Sequence, residues 1–201
     1  MKTPGVYIVE KSAFPNSVVE APTAIPAFIG ITEKAVNGAD TLSGKPWKIT
    51  SMTEFQQYFG GAPAPEFRLS VVDYPEKDAS KTFYGIPSPD KSKLLRVEAP
   101  EVTFSLYYQM VMFFANGGGT CYIVSAGTYD QKSLIDKEKV VAALTALKKE
   151  QEITMVLVPE AVSVDECKDI QTQVLAHCGE MMNRFAILDV QPKAKENEVM
   201  S

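Results

Sequence analysis

Thr120-Cys121-Tyr122-Ile123-Val124-Ser125 and Ile153-Thr154-Met155-Val156-Leu157-Val158 are two short runs rich in β-branched and apolar residues, and between them Val140, Val141, Leu144 and Leu147 recur at helical spacing. Such runs read as strands, and the spacing between them puts four apolar side chains on one face of a helix. The pattern then repeats. Ser163-Val164-Asp165-Glu166 has the form of a capping box, Ile170, Val174, Cys178 and Met181 make one stripe of the helix behind it, and Arg184 to Val190 supplies a further strand. Two successive strand–helix–strand units predict an α/β fold with a mostly parallel sheet covered by helices, because parallel neighbours can be joined only by a crossover.

Upstream, Ala27-Phe28-Ile29-Gly30-Ile31-Thr32 is a continuous apolar run of the kind found in a strand buried on both faces. Trp47 to Thr50 reads as a short strand. Ser51-Met52-Thr53-Glu54 is a capping box opening a helix through Phe59, and Gly60-Gly61 stops it. Residues 61–100 carry alternation at Phe67 to Val71 and strand-like pieces at Lys81 to Tyr84 and Lys93 to Val97, which predicts a β-rich excursion. Val102 to Ala115 is apolar on nearly all sides, the pattern of a buried helix, and Asn116-Gly117 closes it. The first 22 residues read as an extended arm: Gly5 to Glu10 has strand-forming composition, Pro4, Pro15 and Pro22 bracket it, and no turn signal returns the chain. The expected organisation is therefore an arm over 1–22, an α/β core over 23–190 with the excursion at 61–100, and a polar linker or tail over 191–201.

Composition narrows the function. The chain has 201 residues, 45% of them hydrophobic and 22% charged, enough to bury a sizeable core. A formal charge of -5 and no basic run longer than two residues argue against nucleic acid as a partner, since that needs clustered Lys and Arg. The most apolar segment, Met110 to Ala115, is too short to cross a bilayer, and Met1-Lys2-Thr3-Pro4-Gly5 lacks the apolar stretch of a secretory signal, so synthesis in the cytosol without membrane insertion is expected. Cys121, Cys167 and Cys178 lack metal-ligand spacing and lie within apolar patterns, so all three read as reduced packing residues.

Each motif that suggests chemistry also has a plainer reading. Gly117-Gly118-Gly119-Thr120 follows a helix and precedes a strand, the reverse of a phosphate loop, and reads as a helix stop. His177 and Cys178 are adjacent on a helix and diverge by about 100 degrees, which sets a core cysteine beside a surface or boundary histidine rather than a nucleophile beside its base. Asp165, Glu166 and Asp169 suit a helix amino terminus. Tyr107, Tyr108, Phe113 and Phe114 lie on an apolar helix and read as core. Asp189 stands near the carboxyl end of a parallel strand, where ligands of open α/β sheets bind; it carries the alternative reading, a small α/β enzyme or ligand-binding domain. No catalytic, cofactor or metal constellation assembles from these residues. The arm is different, because its strand leaves a ladder of backbone groups that needs a sheet edge, in its own chain or in a neighbour.

Thr3-Pro4-Gly5-Val6-Tyr7-Ile8-Val9-Glu10, followed by Ala24-Ile25-Pro26-Ala27-Phe28-Ile29-Gly30-Ile31-Thr32, resembles the start of phage tail sheath proteins. Phe113 to Val124 is similar to that family's helix, glycine stop and strand, and Arg184 to Asp189 to a later core strand. Lys45 to Thr50 with Glu54 to Gly61 resembles most the sheath subunits of extracellular contractile injection systems. The resemblance implies a structural subunit, not an enzyme, with no cofactor. Such subunits polymerise around an inner tube and contract to drive it through a target membrane, with other sheath subunits, tube and baseplate proteins as partners. It places the protein in a phage tail or a released phage-tail-like particle made in the bacterial cytoplasm. It also makes residues Thr3 to Lys11, that is Thr3, Pro4, Gly5, Val6, Tyr7, Ile8, Val9, Glu10 and Lys11, an inter-subunit strand. Family members continue past the strand resembling Arg184 to Val190 into a carboxyl-terminal domain, which is expected to be absent from these 201 residues, as in a fragment or a shortened homologue.

Overall fold

The computed structural model describes residues 24–64, 67–73, 85–90, 92–98, 104–129 and 135–191. The arm at Thr3 to Lys11, the strand expected at Lys81 to Tyr84 and nearly all of the 191–201 tail lie outside the described residues. In chain order the elements are β1 (Pro26–Thr32), β2 (Val36–Asn37), β3 (Asp40–Thr41), β4 (Trp47–Ile49), α1 (Met52–Phe59), β5 (Arg68–Asp73), β6 (Gly85–Pro87), β7 (Lys93–Glu98), α2 (Leu106–Ala115), β8 (Cys121–Thr128), α3 (Lys137–Leu147), β9 (Met155–Leu157), a 3₁₀ turn (Pro159–Ser163), α4 (Cys167–Met181) and β10 (Phe185–Ile187).

The main sheet has the order β10-β9-β1-β8-β4, with the first four strands parallel and β4 antiparallel at one edge. This is the α/β architecture the alternating pattern predicts. β1 lies between β8 and β9, so the chain passing through α3 skips over it. The apolar sequence of β1 follows from that central place: all seven residues are buried. Alternate residues feed two cores. Ala27, Ile29, Ile31, Tyr122 and Val124 face Val140, Leu144, Leu147, Ile170 and Val174 of α3 and α4. Phe28, Ile49, Cys121 and Ile123 face Phe55, Phe59, Leu106 and Met110 of α1 and α2 on the opposite side. Each fully buried Ile, Leu or Phe contributes about 1.5–3 kcal/mol, so the two layers supply the main driving force for folding.

Local signals fix the helix ends. Ser51 Oγ accepts from Glu54 N at 3.3 Å, while the Glu54 carboxylate reaches one residue beyond the capping-box partner and accepts from Thr50 N at 2.6 Å. Gly60, at φ 92°, ends α1 in a conformation that costs a side-chain-bearing residue strain. Gly117, at φ 84°, ends α2 as expected of a helix stop, and Gly118 N donates to Phe113 O at 2.9 Å.

Four expectations are corrected. In α3 the buried set is Val140, Ala143, Leu144 and Leu147, and Val141 is turned outward, because the stripe runs at spacings of three and four and Val141 falls beside it. The Ser163 capping box does not form: Pro159 starts a 3₁₀ turn that ends at Ser163, and α4 begins at Cys167 after Glu166. Glu166 instead accepts from Lys137 N at 3.1 Å, serving the amino terminus of α3. On α4 the positions of the adjacent pair are exchanged: His177 is buried with only 4% exposure and Cys178 is partly exposed. Finally, α2 starts at Leu106 and is not buried all round. Leu106 and Met110 reach the core, but Tyr108, Val111 and Met112 are exposed because α2 covers one face of the sheet and, among the described residues, no second layer covers α2.

The excursion is a separate three-stranded antiparallel sheet of order β5-β7-β6. β10 is shorter than the strand expected over Arg184 to Val190, and it leaves Phe185 and Ile187 exposed at the sheet edge.

Candidate functional site

Ligands of open α/β sheets bind beyond the carboxyl ends of the strands, often at a helix amino terminus whose N–H groups lack partners. In this chain that place is the end of β1 against the start of α2. The register of β1 with β8 shifts there, since Gly30 pairs with Ser125 and Ile31 with Gly127, while on the other side the pairing of β1 with β9 ends at Phe28 opposite Leu157, which leaves Ile31 N to a side chain. Glu160, in the 3₁₀ turn after β9, points into this gap with 1% exposure. Its Oε2 accepts from Ile31 N at 2.8 Å, and its Oε1 accepts from Ser105 N at 3.0 Å and Leu106 N at 3.2 Å. The position that could take a bound anion is filled by a side chain of the chain itself.

Gly30 makes the fit possible, because a Cβ there would stand 3.0 Å from Leu106 Cβ and 3.2 Å from Glu160 Oε2. Burial pushes the Glu160 carboxyl up to about 7, while the three backbone N–H donors pull the other way. The arrangement is a pin joining β1, α2 and the turn after β9.

A second buried polar group sits at the opposite end of the parallel strands, just before β10. Arg184, 7% exposed, donates from Nη1 to Leu147 O at 3.1 Å, from Nη2 to Glu150 O at 2.8 Å and from Nε to Asn183 Oδ1 at 2.9 Å. It supplies a second donor to Leu147 O, which also accepts from Glu150 N at 3.2 Å, and a donor to Glu150 O just past α3. Its Nη1 also lies 3.4 Å from His177 Nε2. Burial, then the charges of Arg184 and Lys148, push the His177 imidazole below its ordinary value, so the neutral ring is favoured. His177 lines a cleft of about 110 Å³ between α3 and α4, bridged at its rim by Lys148 and Glu180 at 2.7 Å. Sequence reasoning missed both Glu160 and Arg184. An acid set among Val158, Pro159, Ala161 and Val162 was the available signal for the first.

The residues singled out from the sequence are not brought together. Asp189 is exposed beyond β10, and its contact is a backbone one: Gln171 Nε2 donates to Asp189 O at 2.7 Å. Cys121, Cys167 and Cys178 are free thiols; burial pushes Cys121 up to about 12 and raises the other two, so all three are held as thiols. Of the aromatic set, Tyr107, Phe113 and Phe114 are partly buried against the second core, and Tyr108 is exposed. Among the described residues, no group of three His, Cys, Asp or Glu side chains could hold a metal ion, and no helix is long and apolar enough to cross a membrane.

No family model and no curated protein matches this chain. The α/β fold and the two buried polar centres rest on the geometry described above. The arm residues Thr3 to Lys11 lie outside the described residues.

Proposed function

We propose that the chain is the amino-terminal α/β part of a structural subunit of a contractile tail sheath, closest in kind to those of extracellular contractile injection systems. The observation that carries this reading is the ordered set of sequence blocks: Thr3 to Glu10, Ala24 to Thr32, Lys45 to Thr50 with Glu54 to Gly61, Phe113 to Val124 and Arg184 to Asp189 resemble sheath proteins in the same order along the chain. The buried groups fit a structural role, since Glu160 accepts from the chain's own backbone N–H groups and Arg184 donates to its backbone carbonyls and to Asn183 Oδ1. In this reading subunits stack around an inner tube, and contraction is a change between two packings of nearly rigid bodies. The driving energy is the difference between those packings, and no nucleotide takes part. Thr3 to Lys11 links neighbouring subunits by adding a strand to a sheet edge.

Deleting residues 1–11 tests the linking role. The truncated protein is expected to keep the thermal transition of the core and to lose ordered polymers in the presence of its tube and baseplate partners. Assembly unchanged by the deletion would rule the arm out as the link.

A further inference from the structure

The excursion sheet wears its apolar side outward. An antiparallel sheet with one face in water normally alternates so that polar residues face the solvent. Here the exposed positions are Leu69 and Val71 on β5, Leu95 and Val97 on β7 and Ile86 on β6, with Phe67 continuing the alternation just before β5. Their exposures run from 37% to 69%. The register makes them one surface, since Leu69 lies opposite Val97, Val71 opposite Leu95, and Ile86 opposite Leu95 from the other side. The alternate positions, Val72 and Leu94, are partly or fully buried on the reverse face.

We propose that this strip is a self-association surface, on which a second copy of the chain packs its own excursion sheet face to face. Two sheets stacked in this way lie about 10 Å apart with their side chains interdigitated. The area fits. The strip offers on the order of 500 Å² of apolar surface, near the top of the range a monomer ordinarily leaves exposed. Closing two copies removes on the order of 1,000 Å², the size at which specific interfaces begin. Chemistry selects the occupant. The six side chains carry no charge, so two copies can meet without like-charge repulsion despite a formal charge of -5 each. The strip also offers no polar group that would orient a peptide or a small ligand, and a uniform apolar face is self-complementary under a two-fold axis. At one end Asp73 lies opposite Lys93, a rim of balanced charge. The inference uses neither the arm nor the sheath reading and can fail independently of both.

Sedimentation of the full chain across a concentration series provides the test. A reversible dimer is expected at concentrations up to about 100 μM. The double variant Leu69→Lys, Val97→Glu puts opposite charges on a directly paired position, which keeps the sheet paired while making the strip polar. It is expected to weaken the dimer at least tenfold with the far-ultraviolet spectrum unchanged, and Ile86→Asp, on a different strand, is expected to do the same. A wild-type chain that stays monomeric throughout, or a dimer that persists in both folded variants, overturns the proposal.

Discussion

Glu160→Ala is expected to destabilise the fold by about 4 kcal/mol near pH 5.5. The substitution leaves Ile31 N, Ser105 N and Leu106 N facing a small void, and a buried donor without a partner costs about 1–3 kcal/mol. The penalty falls on the centre of the sheet, since Ile31 belongs to β1 and Leu106 opens α2. The pH dependence separates this centre from an ordinary packing site. The folded carboxyl titrates at about 7, above its ordinary 4.5, so the fold favours the neutral form. A raised carboxyl contributes no penalty below its unfolded value and a growing one as pH rises through the folded value. Wild-type stability should therefore fall between about pH 5.5 and 8, by about 2 kcal/mol from this group. The alanine variant lacks that slope, so its deficit relative to wild type shrinks by a similar amount across the same range. Urea denaturation of both proteins at the two pH values measures all of this. Parallel pH profiles would show that Glu160 is not the titrating pin described.

Arg184→Met is expected to cost about 3 kcal/mol. Methionine fills much of the arginine stem but donates nothing, so Glu150 O just past α3 loses its side-chain donor and Leu147 O keeps only the bond from Glu150 N. Arg184→Lys should recover only part of the loss, because an ammonium cannot span two carbonyls with the fork of a guanidinium. His177 reports independently. Burial is the largest cause of its lowered pKa and the Arg184 charge the next, so in Arg184→Met the imidazole should titrate at higher pH than in wild type while staying below its ordinary value of 6.5. A lowered histidine favours the fold above pH 6.5 and costs stability as pH falls below it. The methionine variant should therefore lose less stability on acidification than wild type does. Proton NMR of this single histidine follows the titration; an unmoved His177 resonance would contradict the coupling.

The parallel core was legible because its residues obey one rule at a time. β1 is apolar throughout since both faces are covered, and Ser51 with Gly60 bounds α1 by local hydrogen bonding and backbone conformation alone. Failures came where tertiary demands compete with local pattern. Ser163 to Glu166 has the form of a cap, yet Pro159 and the inward pull on Glu160 claim that stretch for a 3₁₀ turn, and Glu166 serves a different helix. His177 is buried against local expectation, with its Nε2 3.4 Å from Nη1 of Arg184, seven residues later. The apolar sequence of α2 suggested burial on all sides, but amphipathic pattern cannot say how many layers lie above a helix. Apart from the apolar neighbours of Glu160, neither buried polar centre has a local signature, since Glu160 meets backbone partners 54 to 129 residues away and Arg184 meets carbonyls 34 and 37 residues away.

Electron microscopy tests the sheath proposal most directly. Expressed from its complete gene together with the tube and baseplate proteins of its machine, the protein should form hollow, transversely striated cylinders around the tube, in a long narrow form and a short wide one. Dispersed, persistently monomeric protein under those conditions would contradict it.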